Sequence, residues 1–139
     1  MIRGRVLHTP AVAGYLGGDK DIRLLFAAAA REMVTLVLPS AVLATATSSH
    51  PELYLQRLSA RVEALLTNPA IVVDHLVDRG GDGERAIRSG FLMSALGLTL
   101  EDAQTADLAL NRSAPVLTTR DGAAMLAKIE PRLPFDLIG

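Results

Sequence analysis

The sequence predicts an α/β fold: a three-layer α/β/α sandwich around a central, mostly parallel sheet of four to five strands. Three observations predict it. Short apolar runs and helical stretches alternate along the chain, the order that builds βαβ units. Two of the runs, Val34 to Leu38 and Val116 to Thr119, are continuous rather than alternating, as strands buried on both faces are. Half of the 139 residues are apolar and only 4% aromatic, so the core must come from Ala, Leu, Val and Ile, which suit close helix–sheet packing. A chain of this length makes one compact domain, residues 1–139, and it holds no repeat and no linker that would split it.

Taken in order, Arg5 to Thr9 is a short strand with Val6 and Leu7 as its buried pair. Pro10 suits a first helical turn, so a helix capped by Thr9 runs to Leu16 and stops at Gly17-Gly18. Asp19 to Met33 is a second helix, acidic at its start, with Ile22, Leu25, Phe26 and Ala29 on one face. After the strand Val34 to Leu38, Pro39-Ser40 caps a helix from Ala41 to Thr47, broken by His50-Pro51. Glu52 to Leu66 is helical and presents Leu55, Leu58, Val62 and Leu65 to the core. Asn68-Pro69 turns into a third strand, Ile71 to Val73. The composition of Asp78 to Gly83 marks an exposed, flexible loop.

Glu84 to Leu96 is helical despite Gly90 and ends at Gly97. Thr99 then caps a further helix, with Asp102 three residues on as in a capping box. Ala103, Ala106, Leu110 and Ala114 follow at helical spacing, an Ala-rich face able to lie flat on a sheet. Arg112 complements the dipole of the last turn, and Ser113-Ala114-Pro115 breaks the helix. Val116 to Thr119 is the next strand, Gly122 to Lys128 a short helix, and Phe135 to Ile138 an edge strand after Pro131 and Pro134.

Composition excludes several kinds of chemistry. Without cysteine there is no disulfide, no thiolate zinc site and no cysteine nucleophile. The net charge of −1 does not demand a nucleic-acid partner, nor does it exclude one, since local patches can hold phosphates. No secretory signal and no run long enough to span a membrane is visible, so a soluble, cytoplasmic protein is expected. Gly14, Gly17 and Gly18 form no phosphate-binding loop after a strand, which counts against a receiver-like or nucleotide-binding domain.

The stretch from Thr99 to Asp121 carries the chemistry. Asp102-Ala103-Gln104-Thr105-Ala106 followed by a strand ending Thr119-Arg120-Asp121 resembles the PIN-domain family, metal-dependent ribonucleases that include the toxins of many bacterial toxin–antitoxin pairs. In that family an acid opens a D-A-x-x-A helix and a short strand ends T-x-D. The order of elements agrees with the PIN fold over nearly the whole chain. The resemblance implies three or four carboxylates gathered at the carboxyl ends of the strands, where they bind Mg²⁺ or Mn²⁺ and activate a water.

Residue by residue, the resemblance gives a depleted set. The acid ending the first strand is replaced by His8, whose imidazole suits Mn²⁺ or softer ions better than Mg²⁺. The acid of the helix after the second strand is replaced by Thr45. Asp102 matches the third acid. Asp121 fills the fourth when the motif is read from Thr119, and Arg120 fills it when read from Thr118. If Arg120 points into the site, its guanidinium can neutralise Asp102 and Asp121 in place of a metal. The same residues have plainer readings: Asp102 as a helix-start acid, Asp121 as the cap of the helix at 122–128, His8 as a buried, hydrogen-bonded ring, Thr45 as a packing residue.

Elsewhere, Asp74-His75 follows the third strand, Arg85 and Arg88 form a short stripe on one helix, and Glu101 and Asp107 point off the Asp102 face. The expectation is therefore a PIN-like domain with a degenerate active site, impaired or inactive as a nuclease. Two alternatives stand beside it: an active toxin-type endoribonuclease with an atypical metal site of His8, Asp102 and Asp121, and a non-catalytic module that binds RNA or protein. The resemblance further implies a homodimer and an antitoxin-like partner, for which the helices at 19–33 and 52–66 offer apolar faces.

Overall fold

The computed structural model describes residues 4–50, 57–76 and 83–138. The elements are β1 (Gly4–Leu7), α1 (Thr9–Leu16), α2 (Lys20–Arg31), β2 (Thr35–Pro39), α3 (Ser40–Ser48), α4 (Arg57–Thr67), β3 (Ile71–Asp74), α5 (Glu84–Leu96), α6 (Leu100–Arg112), β4 (Val116–Thr118), α7 (Arg120–Ile129) and β5 (Phe135–Leu137). The strands form one five-stranded sheet in the order β3-β2-β1-β4-β5, and every pairing is parallel. The expected sandwich is the fold found. The expected start of the fourth helix at Glu52, the role of Leu55, the Leu58 side chain, and the loop before Gly83 lie outside the described residues.

Successive strand residues point to opposite faces, and that sorts the core into two layers. Leu7, Leu36, Leu38 and Leu117 face α1 to α4, where Phe26, Leu16, Val42 and Leu65 meet them. Val6, Val37 and Val116 face the other way, onto Ala103, Ala106 and Ala109 of α6 and Leu126 of α7. Small residues on α6 let that helix approach the sheet closely, as the Ala-rich face predicted. α6 is nevertheless no ordinary amphipathic helix, because Asp102 through Ala109 are all buried.

Several boundaries differ from the sequence reading, each for a local reason. β1 ends at Leu7, and His8 rather than Thr9 is the N-cap of α1. α2 stops at Arg31 instead of Met33: the Val34 N–H turns back to the Ala29 carbonyl (2.9 Å), and Met33 takes φ 58° to let it. Thr119, not Asp121, caps α7, its hydroxyl accepting from the Gly122 N–H at 3.2 Å. His50 is half-buried, and its Nε2 bonds to the Ala13 carbonyl oxygen (2.9 Å). Gly97 and Ser113, both left-handed, end α5 and α6. Among the described residues no helix is long and apolar enough to cross a membrane.

Asp19 caps α2 by accepting from the N–H groups of Asp21 (2.9 Å) and Ile22 (3.1 Å). Asp19→Ala removes both bonds, and denaturant unfolding should show a loss of about 1 kcal/mol.

Candidate functional site

The strand order reverses between β1 and β4: the chain leaves β1 towards β2 and β3, then returns to lay β4 on the other side. Open α/β sheets bind ligands in the crevice that such a reversal leaves outside the carboxyl ends of the strands. Here the first residue beyond β1 is His8 and the last of β4 is Thr118, so both stand at that crevice. The N-terminus of α6 brings Asp102 to the same place.

These three side chains form one chain of hydrogen bonds. His8 Nε2 lies 2.8 Å from Asp102 Oδ1, and His8 Nδ1 lies 2.8 Å from Thr118 Oγ1. His8 and Thr118 are fully buried and Asp102 nearly so. An ionised carboxylate only accepts, so with Asp102 ionised Nε2 carries the proton, and in the neutral ring Nδ1 then accepts from the Thr118 hydroxyl. Both ring nitrogens are thereby used within the protein. Gly122 closes the space beside them: a Cβ there would come within 2.3 Å of Thr118 Oγ1 and 3.0 Å of His8 Nδ1. The Gly at this position is thus a requirement of packing rather than of backbone angle.

The other residues singled out in the sequence stand apart from this chain. Asp121 is exposed in the first turn of α7. Arg120 is exposed as well, and no ion pair joins it to Asp102 or Asp121; the partner of Asp102 is His8. Thr45 is half-buried within α3. Asp102 also receives at its backbone what the capping-box reading expected, its N–H reaching the Thr99 hydroxyl at 3.4 Å. Among the described residues no three His, Asp or Glu side chains gather where they can hold a metal ion.

The remaining buried acids nearby each have a cationic partner. Asp74, at the end of β3, is paired with Arg85. Asp107 accepts from Arg88 Nε (2.9 Å) and Nη2 (3.3 Å) and from Asn111 Nδ2 (2.8 Å). The Asp107 carboxylate, hydrogen-bonded to it, holds the Arg88 guanidinium above its usual range, with Glu84 adding to the effect against partial desolvation.

Sequence reasoning missed Gln104. It is 2% exposed; its Oε1 accepts from the Ala41 N–H (2.9 Å), and its Nε2 donates to the Asp74 carbonyl oxygen (2.9 Å) and the Ser40 hydroxyl (3.4 Å). One amide thus ties α6 to the uncapped N-terminus of α3 and to the end of β3. The signal available was its place between Asp102 and Ala106 in a stretch too rich in Ala to have a polar outer face.

No protein-family model and no curated protein matches this sequence. Among solved structures, the chain is similar to one in the crystal structure of VapBC2 from Rickettsia felis bound to a DNA fragment from their promoter. The TM-score is 0.68 and the identity 13%, over 96% of this chain and 98% of that one. The likeness is one of fold, and it agrees with the PIN-like three-layer sandwich.

Two substitutions test the packing of the site. Gly122→Ala should destabilise the domain by about 1–3 kcal/mol, because the new methyl collides with Thr118 and His8. Gln104→Leu leaves the Ala41 N–H and the Asp74 carbonyl unpaired in the interior and should cost about 1–3 kcal/mol for each, measured by urea unfolding.

Proposed function

We propose that this chain is a PIN-like domain that does not perform Mg²⁺-dependent RNA cleavage and acts instead by holding a protein partner. One observation carries the first half of the reading: the His8 ring, buried at the strand reversal, takes up one oxygen of the Asp102 carboxylate. Mg²⁺ takes oxygen ligands in near-octahedral geometry and is held by carboxylates and waters. At this place, among the described residues, only Asp102 offers a buried carboxylate, with its side chain 12% exposed and one oxygen already bonded to His8. Asp121 is on the surface, Thr45 brings no charge, and Asp74 and Asp107 are paired with arginines. The donor set does not fit Mg²⁺. It offers Mn²⁺ no ring nitrogen either, because both nitrogens of His8 are bonded to Asp102 and Thr118, and this counts against the atypical-site alternative as well.

The second half rests on the cleft between α2 and α4. Its volume is about 310 Å³, and the small residues Ala27, Ala60 and Ala64 line it together with Arg23 and Arg61. The Arg23 guanidinium lies 5.6 Å over the Tyr15 ring, which stacks on Phe26 at 5.1 Å. An aliphatic segment with acidic flanks suits those walls, the kind of chain an antitoxin-like partner would supply. The similar structure, VapBC2 on DNA from their promoter, is itself an assembly and supports a partner-bound role.

Calorimetric titration with Mg²⁺ and then Mn²⁺ tests the site directly. The wild type should show no Mg²⁺ binding and leave single-stranded RNA intact. A His8→Asp/Thr45→Glu variant restores two acids; it should be less stable than the wild type without metal, through repulsion at Asp102. Saturating Mn²⁺ should then recover about 2.7 kcal/mol at a hundred times its Kd. Mg²⁺ binding and RNA cleavage by the wild type, both lost in Asp102→Asn, would overturn the proposal. Light scattering on the same samples reads whether the chain is a homodimer.

A further inference from the structure

α5 is held differently from its neighbour α6. Only one of its residues, Ser89, is fully buried, and the Ser89 hydroxyl has no hydrogen-bond partner. Leu92 and Leu96 reach the apolar cluster but are only partly buried, while Ile87 is 59% and Phe91 69% exposed. The neighbouring α6 buries eight consecutive residues. α5 packs along α6, but through side chains that stay partly in water, so hydrophobic burial holds it less firmly than it holds α6.

Charge adds to that packing. Arg88 grips Asp107 through two nitrogens, and Arg85, one turn earlier, grips Asp74. The acids are 7% and 3% exposed at their side chains, the two arginines 36% each. Glu84 supports Arg88 from within the helix at 3.0 Å. When such a pair separates into water, each partner regains hydration that offsets part of the lost attraction, and dissolved salt weakens the pairing from its exposed, arginine side. The helix is also weak in itself: Gly90 stands in its middle, where Gly is unfavourable, and a side chain there would meet nothing within 4 Å. Gly97, left-handed at φ 68° and likewise in open space, forms the joint at its end.

We infer that α5 is a strap held by an electrostatic latch, Arg85–Asp74 and Arg88–Asp107, which lifts from α6 as a unit while the rest of the domain stays folded. With the strap raised, Asp74 and Asp107 face water and α6 loses one of its covers. The latch keeps its positive side at every pH where the protein is folded, since Asp107 holds Arg88 above its already high range. Ionic strength acts on the latch without discharging that arginine. The inference is independent of whether the chain cleaves RNA.

Hydrogen–deuterium exchange read by mass spectrometry tests it on the intact chain. In low salt, amides of 84–96 should exchange about tenfold or more faster than those of 100–112, as expected of a separate opening unit. Raising NaCl from about 0.05 M to 0.5 M, which shortens the screening length severalfold, should speed exchange in α5 and leave α6 unchanged. Gly90→Ala, with room for its methyl, should slow α5 exchange by about fivefold without altering α6. Arg88→Ala should speed it. Equal rates in the two helices, or an equal response of both to Gly90→Ala, would show one cooperative unit and overturn the strap. Rates in α5 indifferent to salt would overturn the latch.

Discussion

The buried imidazole of His8 sets the terms for the whole carboxyl edge of the sheet. A ring with two polar nitrogens cannot be enclosed unless both are satisfied, since each unpaired group would cost a full desolvation. Satisfying them fixes the end of β1 against the end of β4 through Thr118 and against the first turn of α6 through Asp102. The demand then passes outward. Asp102 must open α6 at this point, Thr118 must be the last strand residue before α7, and the residue packed over both must be Gly122. At the place where open sheets receive their ligands, His8, Asp102 and Thr118 are therefore bonded to one another.

Charge is handled in the same internal way throughout this half of the domain. Asp102 is answered by His8, Asp74 by Arg85, and Asp107 by Arg88 and Asn111. A metal centre needs its acids to converge and to remain short of cations until the ion arrives. Among the described residues these three acids are each taken up separately: Asp102 pairs with His8, and Asp74 and Asp107 pair with two arginines of α5. Arg120, the cation that seemed placed to replace a metal by its position in the sequence, is on the surface; the compensating groups come from β1 and α5 instead.

The two faces of the sheet are built differently. On one, Phe26, Leu16, Leu36 and Leu65 interlock into a broad aliphatic core under α1 to α4. On the other, α6 fits closely through its alanines and is itself enclosed by α5 and α3. Gln104 shows what enclosure requires. Its amide supplies the acceptor that the uncapped N-terminus of α3 lacks and the donor that the end of β3 lacks, so a polar residue in the interior joins three elements.

The sequence by itself determined the layers. Continuous apolar strands, helices with one apolar face and an Ala-rich helix before a short strand are local patterns, and local patterns fix which elements form and which face is buried. They also carried the resemblance to PIN domains, which sets His8 and Thr45 where that family is expected to have acids. Tertiary structure alone decided the partners. That His8 binds Asp102 and Thr118, 94 and 110 residues away, follows from the strand order, which no local pattern encodes. The same holds for Arg85 and Arg88, which read as a solvated stripe until β3 and α6 bring buried carboxylates to them. Periodicity says that a residue is inside; only the packing of distant elements says which atom it must satisfy there.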